Sequence, residues 1–354
     1  MDSNFLPISL NVLSTGHLFI PSMPYMISPA CNLPMPHLLT ISPLTNLYAY
    51  LFIVNIHTQG IKKVALVTGS SSGIGFEIAL LLARSGFHTY ASMRNLEKSK
   101  NIAEIANTEK LPLTVVQLDV NDDRSVKDAI DKIVAAENKR IDVLVNNAGY
   151  GLFSPIEDVT LDQVKEQFET NLFGVVRVTK EVLPIMRKQR KGTIVNVSSG
   201  AGRVGIPLFS AYVATKFALE GLSESMRYEL KQFGINIVII EPGVIKTKAF
   251  ENLKTADTKS RSESTYADLI ERVSKGFEKM MDNSSSPPKL VAGAILNAIT
   301  SKEPEIRYVV GDDAKSIMKV RKSSSDKEFE NWMYESILRE KAFVTANALK
   351  TGSI

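Results

Sequence analysis

A glycine-rich turn between an apolar strand and an apolar helix limits the folds open to this sequence. Residues 62–68, K-K-V-A-L-V-T, contain an apolar run rich in β-branched side chains, as expected of a strand buried on both faces of a parallel sheet. T-G-S-S-S-G-I-G follows from Thr68 to Gly75, and an apolar helical segment continues to Gly86. Such glycines let the backbone approach a pyrophosphate, and the N–H groups of the helix N-terminus bind its oxygens. The dinucleotide-binding residues predicted at this turn are Gly69, Ser71, Ser72, Gly73, Ile74 and Gly75.

Strand-like and helical segments alternate along the rest of the chain. This alternation predicts an α/β fold with a doubly wound parallel sheet. We expect a single domain over residues 61–311, on which a helical extension over residues 312–354 packs. Residues 246–288 are rich in Lys, Ser, Glu and Asp and are long for a connection, so we interpret them as a lid over the substrate. The further predicted strands cover residues 87–93, 113–120, 141–145, 193–199, 235–240 and 305–310.

Residues that follow the strands are further candidates for cofactor binding, because ligands of open α/β sheets bind beyond the carboxyl ends of the strands. The second predicted strand runs into Arg94, with no acid before Glu97. An arginine here favours the 2′-phosphate of NADP, whereas an acid would bind the ribose 2′-hydroxyl of NAD. Arg94 therefore predicts NADP(H), with NAD(H) as the other possibility. Asp119, near the end of the third predicted strand, is placed to accept a hydrogen bond from an adenine amino group.

Tyr212 and Lys216 stand four residues apart in a helical segment without Gly or Pro, so they share one helix face. A free tyrosine has a pKa of about 10 and is a weak acid or base at neutral pH. A nearby ammonium favours the phenolate, so we expect Lys216 to lower the pKa of Tyr212. The alternative is a buried aromatic residue beside a solvated lysine on an amphipathic helix. The Tyr212 and Lys216 pair alone does not decide between this alternative and a catalytic role.

Asparagine and glycine occur together at two further places. N-N-A-G begins at Asn146 after the fourth predicted strand, where an amide that donates and accepts can tie strands together beside a cofactor. N-L-F-G, from Asn171 to Gly174, interrupts a long helical pattern. Glycine costs a helix about 1 kcal/mol relative to alanine, so we expect a local irregularity there.

The side chains available exclude several kinds of chemistry. Gly69–Gly73 also matches G-x-S-x-G, the nucleophile elbow of hydrolases, but a Ser71 nucleophile needs a histidine base, and only His88 lies beyond residue 60. With one histidine and no cysteine from residue 62 onward, a zinc site of the usual kind cannot form, and no metal is expected. A net charge of +4 without a basic stripe argues against nucleic acid. The lone Cys31 fits a reducing compartment, and we predict a cytoplasmic location.

The first sixty residues differ from the rest of the chain. Asp2 is their only charged side chain, and they show neither a helical nor a strand period. A secretory signal would need a basic start, which is lacking. The best apolar run, residues 47–54, is far shorter than the roughly 20 residues of a membrane span. We interpret residues 1–60 as a poorly structured or non-native leader, with a weak hydrophobic membrane anchor as the alternative.

From about residue 62 to residue 310 the sequence resembles the short-chain dehydrogenase/reductase family, whose members have a single Rossmann-type domain. Each motif is common alone, but together, in the family's order and at compatible spacing, they are highly specific. The motifs are T-G-S-S-S-G-I-G at Thr68, L-D-V at Asp119, N-N-A-G at Asn146, N-L-F-G at Asn171, V-S-S at Ser198 and Ser199, Y-V-A-T-K at Tyr212 and P-G at Pro242.

The resemblance implies hydride transfer between a nicotinamide cofactor and an alcohol or carbonyl carbon. Tyr212 would be the acid/base on the substrate oxygen, Ser199 would hydrogen-bond this oxygen, and Lys216 would hold the nicotinamide ribose. Asn171 would support a water-linked proton path to Lys216, and Thr247 would bond the carboxamide. The other cofactor-binding residues that the family implies are Val120, Asn146, Ala148, Gly149, Pro242, Gly243 and Val244.

Two segments are similar to retinol- and 17β-hydroxysteroid-dehydrogenase-like members, namely Y-A-S-M-R-N-L-E-K and R-Y-V-V-G-D-D-A, the latter at Arg307. A hydrophobic small-molecule ketone, aldehyde or alcohol is therefore expected, in an apolar pocket with Phe153 and Leu208 as substrate contacts. The pocket would also include Val204, Pro207 and Phe209.

The family also implies a homodimer or homotetramer. The alternative function is a catalytically silent NADP-binding regulator on the same fold. A degraded catalytic set would favour it, whereas Asn171, Ser199, Tyr212 and Lys216 are all present.

Overall fold

The computed structural model describes residues 62–247, 253–256, 263–283 and 286–338. The predictions for residues 1–60 and for the end of the C-terminal extension lie outside these residues. The described strands are β1 (Val64–Val67), β2 (His88–Met93), β3 (Leu113–Gln117), β4 (Val143–Asn146), β5 (Gly192–Val197), β6 (Ile235–Pro242) and β7 (Arg307–Val310). They form one sheet, in the order β3-β2-β1-β4-β5-β6-β7, and every neighbouring pair is parallel.

Helices connect the strands and cover both faces of the sheet. They are α1 (Gly73–Arg84), α2 (Lys100–Thr108), α3 (Asp123–Ala136), α4 (Leu161–Phe168), α5 (Gly174–Gln189), α6 (Ser210–Leu230), α7 (Ala267–Asn283), α8 (Pro288–Thr300), α9 (Asp312–Ser323) and α10 (Asp326–Met333). None of the helices in the described ranges is both long enough and apolar enough to cross a bilayer. The predicted α/β fold with a doubly wound parallel sheet is confirmed.

The core follows from the alternation of side chains along buried strands. In β1, Ala65 and Val67 face the side covered by α1 and α8, whereas Val64 and Leu66 face the side covered by α3, α5 and α6. All four are buried. Burial of each larger side chain, namely Val64, Leu66 and Val67, contributes roughly 1.5–3 kcal/mol relative to exposure. Burial on both faces thus fixes β1, and with it the turn that follows, at the centre of the sheet.

The third strand is shorter than predicted and ends at Gln117. Asp119 explains the difference, because its side chain accepts a hydrogen bond from the Asn121 backbone N–H at 3.0 Å, and its own N–H donates to Ser125 Oγ at 3.0 Å. These bonds turn the chain toward α3. Asp119 therefore lies in the loop beyond the strand.

The predicted irregularity at Asn171–Gly174 is confirmed. A π-helical turn, Glu169–Phe173, separates α4 from α5. Gly174 is required at the next position, since a Cβ there would lie 2.9 Å from the side chain of Val120.

A third apolar cluster lies beyond the carboxyl ends of the strands. It joins Phe153, Phe209 and Phe277 to Trp332 and Met333 of α10. The rings of Phe209 and Phe277 are 5.3 Å apart between centroids. Helices α7, α9 and α10 thus pack together at the end of the sheet where ligands of open α/β folds bind.

Candidate active site

A cleft of about 1120 Å³ runs along the carboxyl ends of the central strands. It brings together the glycine turn after β1, the loops after β2 to β6 and the start of α6. The predicted site residues that line it are Gly69, Ser71, Ser72, Gly73, Ile74, Gly75, Arg94, Asp119, Val120, Ala148, Gly149, Ser199, Tyr212, Lys216, Pro242, Gly243, Val244 and Thr247. The cleft is large enough for a dinucleotide and a second molecule.

Asn146 is not among the lining residues, although it was predicted to bind cofactor. Its buried amide donates to Asn196 Oδ1 at 2.9 Å and to Thr179 Oγ1 at 3.1 Å, and so ties β4 to β5 and α5. The neighbouring Asn147 lines the cleft instead, and its amide donates to the Thr68 carbonyl at 2.9 Å and the Gly69 carbonyl at 3.1 Å. Strand alternation explains the difference, because successive side chains point to opposite sides.

Asn171 also lies behind the cleft wall and is buried. Its side-chain oxygen accepts from the Tyr150 N–H at 3.1 Å, and its amide donates to the Tyr150 carbonyl at 2.9 Å and to Thr215 Oγ1 at 3.2 Å. Both amide hydrogens are therefore used by the protein. In this structure Asn171 fixes the loop after β4 against α6.

Phe153 and Leu208, the predicted substrate contacts, stand in a second layer. They are buried and do not line the cleft, which is bounded by Phe209 and Phe277. The Phe153 ring packs on Phe209 with centroids 5.1 Å apart, and Leu208 accepts the Ser154 N–H through its carbonyl at 2.8 Å. Hydrophobicity identified the region, but only the fold decides which ring faces the cleft.

The glycine turn has the shape that a pyrophosphate needs. Gly69 and Gly73 have φ of +69° and +61°, and a Cβ on Gly75 would lie 2.4 Å from both the Gly69 carbonyl oxygen and Asn147 Nδ2. At the N-terminus of α1, Ser72 makes no side-chain capping bond, and the first turn holds no acidic residue. The N–H groups there, with the positive end of the helix dipole, fit a phosphate. The residues present thus fit a dinucleotide cofactor.

Arg94 and Lys98 line the part of the cleft beyond β2. The Arg94 carbonyl accepts from Gln117 Nε2 at 3.1 Å, which anchors its backbone to β3. Lys98 comes from the 3₁₀ turn Leu96–Ser99, whose start is capped by the Asn95 side chain. Two positively charged side chains, Arg94 and Lys98, thus line the cleft beyond the carboxyl end of β2.

Ser199, Tyr212 and Lys216 reach the cleft from two adjacent elements. Ser199 follows β5, and its Oγ accepts the Ala201 N–H at 3.1 Å. Tyr212 and Lys216 lie on the first turns of α6. The Lys216 ammonium donates to the Val197 carbonyl at 2.9 Å and lies 5.7 Å from the centre of the Tyr212 ring.

Burial controls the protonation of this pair. It raises the pKa of the Tyr212 phenol, and a hydrogen bond with Ser199 opposes that rise. It lowers the pKa of Lys216 to about 8, against the attraction of the Glu220 carboxylate. The predicted lowering of the Tyr212 pKa by Lys216 is therefore wrong for this structure, because desolvation disfavours both charged forms. At neutral pH the phenol keeps its proton.

Asp313 is a site residue that the sequence reasoning missed. Its carboxylate accepts the Val244 N–H at 2.6 Å, and a Cβ on Gly243 would lie 2.2 Å from its Oδ2. Helix α9 is thereby fixed against the P-G loop, and Ala314 and Ile317 of the same helix line the cleft. The sequence signal that points to Asp313 is the acidic pair that opens a helix in R-Y-V-V-G-D-D-A.

No described histidine stands near Ser71. His88 lies at the start of β2 and pairs with Glu137 at 2.5 Å, whereas Ser71 follows the far end of the neighbouring β1. The described ranges also contain no group of three or more His, Cys, Asp or Glu side chains that could hold a metal ion.

Sheet order, glycine turn and cleft are together those of the NAD(P)-dependent oxidoreductases. The family model for short chain dehydrogenases matches residues 63–258. The chain belongs to the short-chain dehydrogenase/reductase family.

Known proteins resemble this chain over most of its length. It is 39% identical to the uncharacterised oxidoreductase YusZ of Bacillus subtilis over 80% of this chain and 99% of that protein. It is 39% identical to retinol dehydrogenase 8 of Bos taurus over 69% of this chain and 80% of that protein. Among solved structures, ElxO with NADP bound is 30% identical, with a TM-score of 0.59, over 70% of this chain and 97% of ElxO.

Proposed function

We propose that this protein is an NADP(H)-dependent dehydrogenase or reductase that interconverts a hydrophobic alcohol and its ketone or aldehyde. The observation that carries the proposal is that Ser199, Tyr212 and Lys216 line the same cleft as the glycine turn. The intact serine, tyrosine and lysine set favours an enzyme over a silent cofactor-binding regulator.

The protein's own groups have distinct tasks in this reaction. The nicotinamide cofactor, when bound, exchanges a hydride with the substrate carbon. Ser199 donates a hydrogen bond to the substrate oxygen and orients it. Tyr212, whose raised pKa keeps the phenol neutral, gives its proton to that oxygen during reduction and recovers it during oxidation. The Lys216 ammonium holds the ribose hydroxyls of the nicotinamide half, while Thr247 and the P-G loop hold the carboxamide.

A hydrophobic substrate is supported by the wall of the cleft around Tyr212. The apolar side chains there come from the loop before α6, from the segment 253–256, from α7 and from the C-terminal helices, and they are Val204, Ile206, Phe209, Leu253, Phe277, Ile317 and Met333. At the rim, the Lys254 ammonium lies 4.7 Å from the centre of the Tyr150 ring and pairs with Glu166 at 3.2 Å. An apolar body and a carbonyl group suit this pocket, in keeping with the similarity to a retinol dehydrogenase.

The proposal is tested by titrating the full chain with NADPH and NADH, following nicotinamide fluorescence. NADPH oxidation is then measured against straight-chain and cyclic aldehydes and ketones of increasing length. We expect NADPH binding, and turnover that rises with the apolar area of the substrate. A folded protein that binds neither nucleotide would contradict the proposal.

Arg94→Ala should weaken NADPH binding by roughly 10- to 100-fold, because a charge-assisted hydrogen bond contributes about 1.5–3 kcal/mol. NADH lacks the 2′-phosphate, so its affinity should change by less than about twofold. Parallel fluorescence titrations measure the affinities for NADPH and NADH. Arg84→Ala, which removes a surface arginine paired with Glu109, is the matched control and should leave both affinities unchanged. Equal losses for NADPH and NADH would contradict this role of Arg94.

We also propose that a second copy of the chain covers exposed apolar side chains on α6 and on the π turn before α5. Phe217 and Phe173 are 46% and 49% exposed there. Phe217→Glu should convert the assembly to monomers of 39.0 kDa in analytical ultracentrifugation. Leu290→Glu, at an equally exposed position on α8, is the control and should leave the assembly intact. A wild-type chain that sediments as a monomer would contradict the proposal.

Three expectations rest on the sequence alone. The domain limits at residues 61 and 311 and the lid at residues 246–288 stay predictions. The cytoplasmic location, inferred from the lone Cys31, also stays a prediction.

A further inference from the structure

A partly buried charged cluster lies one helical turn beyond Lys216. It comprises Glu220 and Glu224 of α6, Glu241 of β6, Arg307 of β7 and Arg203 of the loop after β5, and is called here the Arg307 cluster. Arg307 Nε is 2.9 Å from Glu220 Oε2 and 3.1 Å from Glu241 Oε1, and Arg307 Nη1 is 3.0 Å from Glu224 Oε1. Arg203 Nη1 is 3.0 Å from the same Glu241 oxygen.

Two of these carboxylates are withdrawn from water. Glu241 is 0% exposed and Glu220 is 5% exposed, whereas the Glu224 side chain is 47% exposed. Burying a carboxylate costs several kcal/mol, which pairing offsets only partly, so stability alone is a weak reason for such a cluster. Its position suggests another reason, because Glu220 follows Lys216 by four residues on the same helix and shares its face.

We propose that Glu220 is a positioning residue that keeps the Lys216 side chain charged and directed to the cleft, while Arg307 holds the Glu220 carboxylate in place. The proposal rests on the proposed function, since the charge on Lys216 matters only if the cleft binds a nicotinamide dinucleotide. The proposal also assigns a role to Arg307, the first residue of R-Y-V-V-G-D-D-A. Arg307 has no role in the proposed hydride and proton transfer itself.

The charges around Lys216 agree with this assignment, and Arg307 favours the charged form of Glu220. Burial lowers the pKa of Lys216, and the Glu220 carboxylate opposes that shift. The other partners of Lys216 are neutral, namely the Val197 carbonyl at the end of β5 and Tyr212 on its own helix. Burial also raises the pKa of Glu220, with the nearby Glu241 acting in the same direction and Ser198 and Arg307 against it.

The consequence is a pH dependence that Glu220 controls. With a pKa of about 8, Lys216 is an ammonium below that pH and becomes neutral above it. Without a carboxylate beside it, the ammonium should be lost at lower pH, by about one unit or more for a nearby opposite charge. A role of Glu220 in folding alone would not move this profile.

The test compares Glu220→Gln with Glu224→Gln in the full chain. Both substitutions remove a partner of Arg307, but Glu224 is one turn farther from Lys216 and half exposed. Affinity for NADPH is measured by fluorescence from pH 6 to pH 9 and repeated with NADH, which has no 2′-phosphate to titrate. We expect wild type and Glu224→Gln to lose affinity together near pH 8. Glu220→Gln should match them within about twofold at pH 6 and bind roughly three- to tenfold more weakly at pH 7.5.

Superimposable profiles for wild type and Glu220→Gln, or an equal shift in Glu224→Gln, would overturn the proposal. If Glu220→Gln does not fold, the proposal is tested with Lys216→Arg, because a guanidinium stays charged from pH 6 to pH 9. The decline in affinity near pH 8 should vanish in that variant, and its persistence would also overturn the proposal. Binding of neither nucleotide by wild type at any pH would instead contradict the proposed function.

Discussion

Tyr212→Phe should reduce turnover by at least about 100-fold while NADPH affinity stays within about threefold of wild type. A positioned general acid or base contributes roughly 10²- to 10⁴-fold, and phenylalanine removes only the hydroxyl that carries the proton. The ring should remain between Phe209 and Lys216, because its edge-to-face contact with Phe209 and its cation–π contact with Lys216 involve the ring and not the hydroxyl. Turnover is measured with the best carbonyl substrate found in the panel, and affinity by nicotinamide fluorescence.

Tyr150→Phe is the matched control for this loss. Tyr150 also lines the cleft, and burial raises the pKa of its phenol as well. It is held to Asn171 through its backbone N–H and carbonyl, which the substitution leaves unchanged. We expect its turnover to fall by less than about threefold, or ~0.65 kcal/mol. Undiminished turnover in Tyr212→Phe would show that another group carries the proton.

The sequence was sufficient for the parts of the site that depend on local chain geometry. A strand buried on both faces, three spaced glycines and an apolar helix allow few arrangements, and the turn after β1 has the predicted shape. Residues at the ends of parallel strands meet at one edge of the sheet, which explains why Arg94 and Asp119 share the cleft. The irregularity before α5 was also predictable, because Gly174 is costly inside a helix.

Other parts depend on contacts between distant elements and could not be predicted from local patterns. Asn171 bonds a loop before it and a helix after it, so its burial depends on how these elements pack. The pKa of Tyr212 depends on desolvation, which cannot be predicted from the four-residue spacing between Tyr212 and Lys216. Asp313 and Glu220 act through partners 69 and 87 residues away in the chain. Acidic residues on helices usually face water, so local patterns predict neither the burial of Glu220 nor the bond between Asp313 and the Val244 N–H.

Gly75→Ala should severely weaken cofactor binding while the chain still folds. The added methyl would lie 2.4 Å from the Gly69 carbonyl oxygen, 2.4 Å from Asn147 Nδ2 and 3.0 Å from the Gly69 carbonyl carbon. Two of these three atoms are backbone, so the turn itself must move. Overpacking of this kind costs about 1–3 kcal/mol, or a decrease of roughly 3–10 °C in the melting temperature. Displacement of the turn should weaken NADPH binding on the order of 100-fold, because the phosphate contacts depend on its placement.

Gly205→Ala separates this local effect from the general effect of replacing a glycine. Gly205 lies in the loop before α6, and a Cβ there would meet no atom within 4 Å. Its NADPH affinity should equal that of wild type, and its melting temperature should be unchanged or slightly raised, since alanine restricts the unfolded chain. Fluorescence titration and circular dichroism on the same samples measure both quantities. If Gly75→Ala bound NADPH as tightly as Gly205→Ala, the turn after β1 would not be the pyrophosphate site, because no phosphate could then depend on the position of the Gly69 backbone.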